Sequence, residues 1–366
     1  MSNIRYQRKS YCVLMVMLAV LFLISFGSSQ TIAQTKVKEL KWATFVPENA
    51  YDSPMSKRFA EDIERYTNGA VKIRIYWPGQ IADVKEMVEL TRNGTIDMSS
   101  SAPTYYPSIL PLNVTLQGFP MLFKSTEEAS YVWRNLSRGI PEVQKEFTAQ
   151  NQYCLNRANL SVYYTISRKP IRSSADLKGM KVRAMPGKYF SQIMESAGAV
   201  SLTTPISEVY EGLLRGALDA AMLTVQVFES LKFYEPAKYV SLPVGTLVAY
   251  WISVNLDVWN GFTPEIKNAF TRAATEWGAR MQESNISTEA ASIKSLKEKG
   301  VQFLEFKDWD AMIAKAGDPW VAAKDSLIKD LKVDPAVAER YVKRWHELSD
   351  EYKKNYSSTG KQWKYE

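Results

Sequence analysis

Arg168-Lys169-Pro170-Ile171-Arg172-Ser173-Ser174-Ala175-Asp176-Leu177-Lys178-Gly179-Met180-Lys181-Val182-Arg183 passes from loop to helical turn to strand within sixteen residues. Asp176-Leu177-Lys178-Gly179 reads as a short helical turn, and Met180 to Ala184 as a strand. Working outward, Ser161 to Ser167 is a strand before it, and a helix follows it to about Ser196. A strand near Ala199 to Leu202 comes next. Ser207 can cap a helix over Glu208 to Arg215, because a serine hydroxyl accepts from the free N–H groups of a first turn. Gly216 ends that helix, and Leu218 to Leu223 continues as strand. Alternating strands and helices of this kind make an α/β lobe with a largely buried sheet.

An earlier unit has the same construction. Leu40 to Phe45 reads as a strand, followed by a loop with Pro47, Glu48, Asn49 and Tyr51. Pro54 opens a helix to about Tyr66, with Phe59, Ile63 and Tyr66 on one side. Val71 to Tyr76 alternates apolar and basic residues, as a strand with one covered face does. Asp83 to Arg92 reads as a helix and Ile96 to Ser99 as a short strand. The two units echo each other: Arg92-Asn93-Gly94-Thr95-Ile96-Asp97 against Arg215-Gly216-Ala217-Leu218-Asp219. Each is a helix end, a glycine free to take positive φ, then an apolar residue and an aspartate. Chance similarity is the alternative.

Tyr250 to Leu256 is a further strand able to carry the chain back between lobes. Thr263-Pro264 signals a long helix, with Phe270, Ala274, Trp277 and Met281 on one stripe. It is expected to reach Ser287 or, with a bend, Lys299. Gly300 stops it before a strand at Val301 to Phe306. Asp308 to about Lys354 reads helical, broken at Pro319 and Pro335, and the tail after Tyr356 is polar.

The N-terminus joins a basic head (Arg5, Arg8, Lys9) to an unbroken apolar run, Val13 to Ile24, and then to small residues ending at Thr31-Ile32-Ala33. This is the pattern of a secretory signal peptide cleaved near Ala33. A retained anchor is the alternative, but the run is short for ~30 Å of hydrocarbon. Removing residues 1–33 lowers the formal charge from +7 to +4. With no basic block or Arg/aromatic interleaving, nucleic acid is not an expected partner. Cys154 would be the one remaining cysteine, which excludes an internal disulfide and suits a small buried hydrophobe. His346 is the sole histidine, which excludes a His-based triad or a His-rich metal site.

The 168–183 stretch continues with Gly198-Ala199, Pro205, Ser207-Glu208-Val209-Tyr210 and Leu218-Asp219. In that order these residues resemble the extracytoplasmic solute receptors of tripartite ATP-independent periplasmic (TRAP) transporters, the DctP type, solute-binding protein family 7. Gly69-x-Val71-x-Ile73 and Gly94-Thr95-Ile96-Asp97 match as well, so the resemblance covers about residues 38–330. It implies an α/β, periplasmic binding protein-like fold: two lobes around a ligand cleft, joined by crossing strands and a long helix. The expected division is 34–160 plus about 250–285 for lobe I, 161–249 plus about 286–330 for lobe II, and 331–366 as a C-terminal helical segment and tail. The implied partners are a small-molecule carboxylate and the membrane permease subunits. A monomer is favoured, and no cofactor or metal is expected.

In such receptors the arginine of the Lys-Val-Arg strand binds a ligand carboxylate in a bidentate pair, and Arg183 holds that position. The chemistry suits it, since a guanidinium is permanently charged and its planar fork matches a carboxylate. Without the resemblance, a surface or internally paired arginine would be the plainer reading. The other positions carried over are Phe45, Asn49, Tyr51, Ser101, Ala102, Tyr163, Met185, Ile206, Met222, Leu223, Tyr250 and Trp251. Several hold apolar or aromatic residues where related receptors bear polar ones. Unpaired polar groups are costly in an enclosed site and apolar groups are favoured. The expected ligand is therefore a monocarboxylate with an apolar, possibly aromatic, remainder. A keto, sugar or dicarboxylic acid on the same fold, or a sensory role, are the alternatives. No nucleophile elbow, phosphate loop or cofactor fingerprint supports an enzyme.

Overall fold

In β1 (Lys38–Thr44), Leu40 and Trp42 are buried while Lys41 between them is exposed. A strand places alternate side chains on opposite faces, so this pattern fixes which face meets the core. The computed structural model describes residues 38–119, 122–123, 125–184, 188–243 and 249–359. The signal sequence read at 1–33 and the site position Met185 lie outside them.

Two mixed sheets are formed. The remaining strands are β2 (Val71–Tyr76), β3 (Met98–Ser101), β4 (Gln152–Asn159), β5 (Tyr163–Ser167), β6 (Lys181–Arg183), β7 (Val200–Leu202), β8 (Ala220–Thr224), β9 (Tyr239–Pro243), β10 (Ala249–Asn255) and β11 (Gln302–Leu304). The first sheet has the order β2-β1-β3-β10-β4 and the second β11-β9-β5-β8-β6-β7. β1, β2 and β3 run parallel, and β10 enters antiparallel between β3 and β4. The chain therefore passes between sheets three times: after β4, after β9, and along the helix Pro264–Glu298 that ends before β11. The fold is two α/β lobes of the periplasmic binding protein kind.

The echo between the lobes has a physical counterpart. Gly94 and Gly216 take φ of 78° and 76°. Asp97 then donates its N–H to the Lys41 carbonyl (3.1 Å) and accepts the Lys41 N–H on Oδ2 (2.8 Å). Asp219 makes the same pair with Lys181, at 2.8 and 2.9 Å. In both lobes a helix end is thus clasped sideways to a lysine of the neighbouring strand, in the middle of β1 and at the start of β6. The clasp also explains why the strands begin at Met98 and Ala220, later than the sequence suggests. The 83–92 helix likewise starts only at Met87, because the Asp83 carboxylate accepts the Lys85 N–H (2.9 Å) in a local turn that competes with helix. Ser207 does not cap: Ile206–Glu208 is a 3₁₀ turn, and the helix runs Val209–Arg215.

The long helix has no break from Pro264 to Glu298. Its first half packs by Phe270 and Trp277 against Phe59 and Tyr250 of the first lobe. Its second half meets the second lobe, where Gln226 and Glu229 reach Asn285 and Lys299. Support on both sides replaces the expected bend. Pro335–Tyr352 is a helix capped by Asp334. It folds back on the helix Thr126–Gly139 through buried Tyr341, Trp345, Leu348 and Tyr352. Cys154 is buried, and burial pushes its thiol pKa up.

Candidate functional site

Arg183 ends β6, flanked in the ladder by Leu202 and Ala221. Its side chain is 7% exposed. Nε donates to the Thr204 carbonyl and Nη1 to the Met222 carbonyl, each at 3.0 Å. A guanidinium has five N–H donors. Two are committed to backbone acceptors that hold its plane, and the rest have no hydrogen-bond partner among the described residues. No carboxylate of the described residues forms an ion pair with Arg183. Tyr163 on β5 is buried beside it. Burial pushes the Tyr163 phenol pKa well up, and the Arg183 charge opposes that rise.

The first lobe faces this point with aromatic rings. Phe45 lies edge-on to Tyr105 (6.4 Å) and to Tyr250 (5.5 Å). Tyr250 donates its hydroxyl to Asp52 Oδ2 at 3.1 Å. Asp52 occupies the N-cap position of the helix Ser53–Tyr66, yet its carboxylate makes no cap bond and is buried instead. Burial raises its pKa to about 6, against smaller opposing effects from its own backbone N–H and Tyr250. Tyr51 next to it donates to Asn285 Oδ1 at 2.7 Å.

Two cavities lie between the lobes and share Tyr105. The smaller, about 340 Å³, has Phe45, Ala82 and Met87 on one side and Pro205 and Ile206 on the other. The larger, about 430 Å³, is walled by Val114, Phe119, Tyr189, Thr203 and Leu331. Arg183 lines neither directly. Its acceptor Thr204 lies between Thr203, on the larger cavity, and Pro205, on the smaller, so Arg183 supports the loop separating them.

The positions expected at the cleft divide accordingly. Phe45 and Ile206 are on a cavity wall, and Tyr51, Tyr163 and Tyr250 cluster behind it. Asn49 is exposed on its loop. Ser101 and Ala102 are buried at the end of β3. Trp251 lies elsewhere: its ring is in a core cluster of the first lobe, against Tyr106 (5.7 Å) and Phe147 (5.3 Å). Adjacent strand residues face opposite ways, so Tyr250 and Trp251 cannot share a face. Met222 serves Arg183 through its carbonyl while its side chain joins Met194 and Trp309 inside the second lobe. Leu223 is buried.

The model of bacterial extracellular solute-binding protein family 7, DctP, matches residues 43–323. The chain belongs to the DctP family. This receptor is 25% identical over 318 residues to the 2,3-diketo-L-gulonate-binding periplasmic protein YiaO of Escherichia coli, covering 84% of this chain and 92% of that protein. It is 23% identical to a monocarboxylate 2-oxoacid-binding periplasmic protein of Nostoc, over 83% of this chain and 84% of that one. Among solved structures, DctP7 of Bordetella pertussis, a receptor binding pyroglutamic acid, superposes with a TM-score of 0.76 at 16% identity, covering 85% of this chain and all of that one. As a DctP-type TRAP receptor the protein works in the periplasm, is not an enzyme, and hands a small organic solute to a membrane permease.

Sequence reading passed over three residues of this DctP receptor's site region. Tyr105 sits in a segment without periodicity and gave no signal. Asp52 reads as an ordinary helix cap. Asn285 was detectable: the stripe Phe270, Ala274, Trp277, Met281 continues by one step of four to a polar residue, and by another to Glu289. Asn285 is fully buried and also donates to the Asn159 carbonyl (2.6 Å), while Glu289 accepts from Ser161 and Tyr164 at the first interlobe crossing.

Proposed function

We propose that this receptor captures a monocarboxylate with an apolar or aromatic remainder, the carboxylate pairing with Arg183. The observation that carries the reading is the Arg183 guanidinium: oriented by two carbonyls, largely enclosed, and with donors that no described residue takes up. Enclosure strengthens such a pair by excluding water. Phe45, Tyr105 and Ile206 supply surface for an apolar remainder, and the exposed Lys85 is the one cation lining either cavity among the described residues. The 2-oxoacid relative binds the same class of head group, and the pyroglutamate receptor shows that the fold accommodates a small cyclic acid. Binding is to be measured over aromatic, branched-chain, keto, sugar and dicarboxylic acids, with recovery of the bound compound unchanged. Tight binding of only a dicarboxylate or sugar acid overturns the reading.

One observation favours a second ligand class. Asp52 is a buried acceptor with no basic partner among the described residues, and it would suit a hydroxyl-bearing acid such as the diketo-gulonate bound by YiaO. The same panel separates the two. We also infer a monomer, since the apolar stripe of the 335–352 helix is buried on its own chain; sedimentation at micromolar concentration tests this.

A further inference from the structure

The larger cavity is built by more than the two lobes. Phe119 of the first lobe stacks on Tyr189 of the second, with centroids 5.0 Å apart and planes 25° from parallel. Tyr189 is held there by its hydroxyl, which donates to the Gly317 carbonyl at 3.0 Å. The remaining side comes from the C-terminal segment. Ser326–Asp330 is a turn of π-helix, and Leu331 closes it by donating its N–H to the Ser326 carbonyl (2.9 Å). Ser326, Asp330 and Leu331 all face the cavity. Such widened turns interrupt ordinary helix and recur at functional sites. Val114, Phe119, Tyr189 and Leu331 give the chamber apolar walls, and Lys85 and Asp330 are its charged lining residues.

We propose that this larger cavity is a second chamber of the solute site, receiving the tail of an acid whose carboxylate is held by Arg183. The proposal rests on the Arg183 reading and extends it: the occupant is an arylalkanoic acid, and residues 326–331 set the length of tail accepted. Two observations join the chamber to the anchor. Thr204, which orients Arg183, directly follows Thr203 on the chamber wall. Tyr105 is common to both cavities, so a ligand passing it leaves one for the other. Size selects the class. A cavity of ~150 Å³ holds benzene, so about 430 Å³ accepts a phenyl ring with its alkyl linker and would leave a short branched acid loosely packed. The Phe119–Tyr189 pair and Tyr105 offer ring faces and edges, which aromatic groups pack against favourably.

The test compares 4-phenylbutanoate with 3-methylbutanoate by titration calorimetry on the wild-type receptor, Val114→Trp, Leu331→Ala and Arg183→Met. Wild type is expected to bind the phenyl acid at least tenfold more tightly. Val114→Trp, which fills the chamber, should erase that preference while leaving the short acid within about twofold. Leu331→Ala, which removes one wall, should change phenyl-acid affinity at least threefold and spare the short acid. Should Val114→Trp not fold, as judged by circular dichroism, Leu331→Ala decides alone. If both chamber variants match wild type for both acids while Arg183→Met loses both, the chamber is refuted and the anchor stands. If Arg183→Met binds like wild type, or wild type binds neither acid, the anchor fails and the chamber with it.

Discussion

Replacing Arg183 by lysine keeps the positive charge and removes the fork. The two backbone carbonyls at 3.0 Å compete with any ligand for the donors of this side chain. An ammonium has three donors on one atom, so holding Thr204 and Met222 leaves a single donor for a carboxylate. The expected loss is one charge-assisted hydrogen bond, about 1.5–3 kcal/mol, or about 10- to 150-fold in affinity at ~1.4 kcal/mol per decade. Arg183→Met goes further. It deletes the charge and leaves the buried Met222 carbonyl, with the part-buried Thr204 carbonyl, without this donor, which should lower ligand-free stability by about 1–3 kcal/mol for the one buried group. Calorimetric titration at neutral pH gives the affinities, and urea unfolding of the ligand-free protein gives the stability. The reasoning fails if Arg183→Lys binds within threefold of wild type, or if Arg183→Met unfolds at the wild-type urea midpoint.

Asp52→Asn tests the buried acid. Its folded pKa of about 6 lies above the ordinary 3.8, so the folded chain binds this proton more tightly than the unfolded one. Stability should therefore fall as pH rises from about 4 to 6 and stay lower above that. Asp52→Asn should remove this slope and raise stability at pH 7.5 by roughly 1–3 kcal/mol; urea titrations from pH 4 to 8 report both. Asn285→Leu strips the partners of the Tyr51 hydroxyl and the Asn159 carbonyl. It should cost about 2–4 kcal/mol from two orphaned buried groups and widen the lobe opening seen by small-angle scattering; an unchanged urea midpoint refutes it. Gly216→Ala and Gly94→Ala should each destabilise by about 1–2 kcal/mol, because both positions have positive φ. The new Cβ at Gly216 would fall 2.7 Å from Arg168 Nη1, but that is the end of a flexible, exposed side chain that can swing aside, so it adds little. Wild-type melting temperatures for the two variants would contradict this.

Much of the architecture is legible from local chemistry. Leu40/Trp42 alternation, the Thr263-Pro264 start and the two Gly-x-x-Asp helix ends are short-range signals, and each appears as structure where the residues suggest. The strands β4 and β9 are less visible. Gln152–Asn159 mixes polar residues on both faces because β4 is buried by helices rather than by a simple alternating face. The site is harder to read. Arg183 is marked by the motif around it, but its bonding to Thr204 and Met222 depends on neighbouring strands distant in sequence. Tyr250 and Trp251 look equivalent on paper, and only the pleat separates a cleft neighbour from a core ring. Tyr105 acquires its role from the approach of the two lobes, and Asp52 from Tyr250, 198 residues further along the chain, which no local window contains.

The insertion of β10 between β3 and β4 also constrains how the molecule can be made. Its residues, 249–255, are synthesised long after β4 ends at Asn159. At translation rates of ~5–20 residues per second, the facing edges of β3 and β4 wait roughly 5–20 s for the strand that fills the gap between them. During that interval the sheet cannot close, and exposed edges invite pairing with other chains. A chain bound for another compartment benefits from this delay, because a nascent form that cannot lock early remains threadable. The late strand that completes the first lobe is thus also a timer on when folding can begin in earnest.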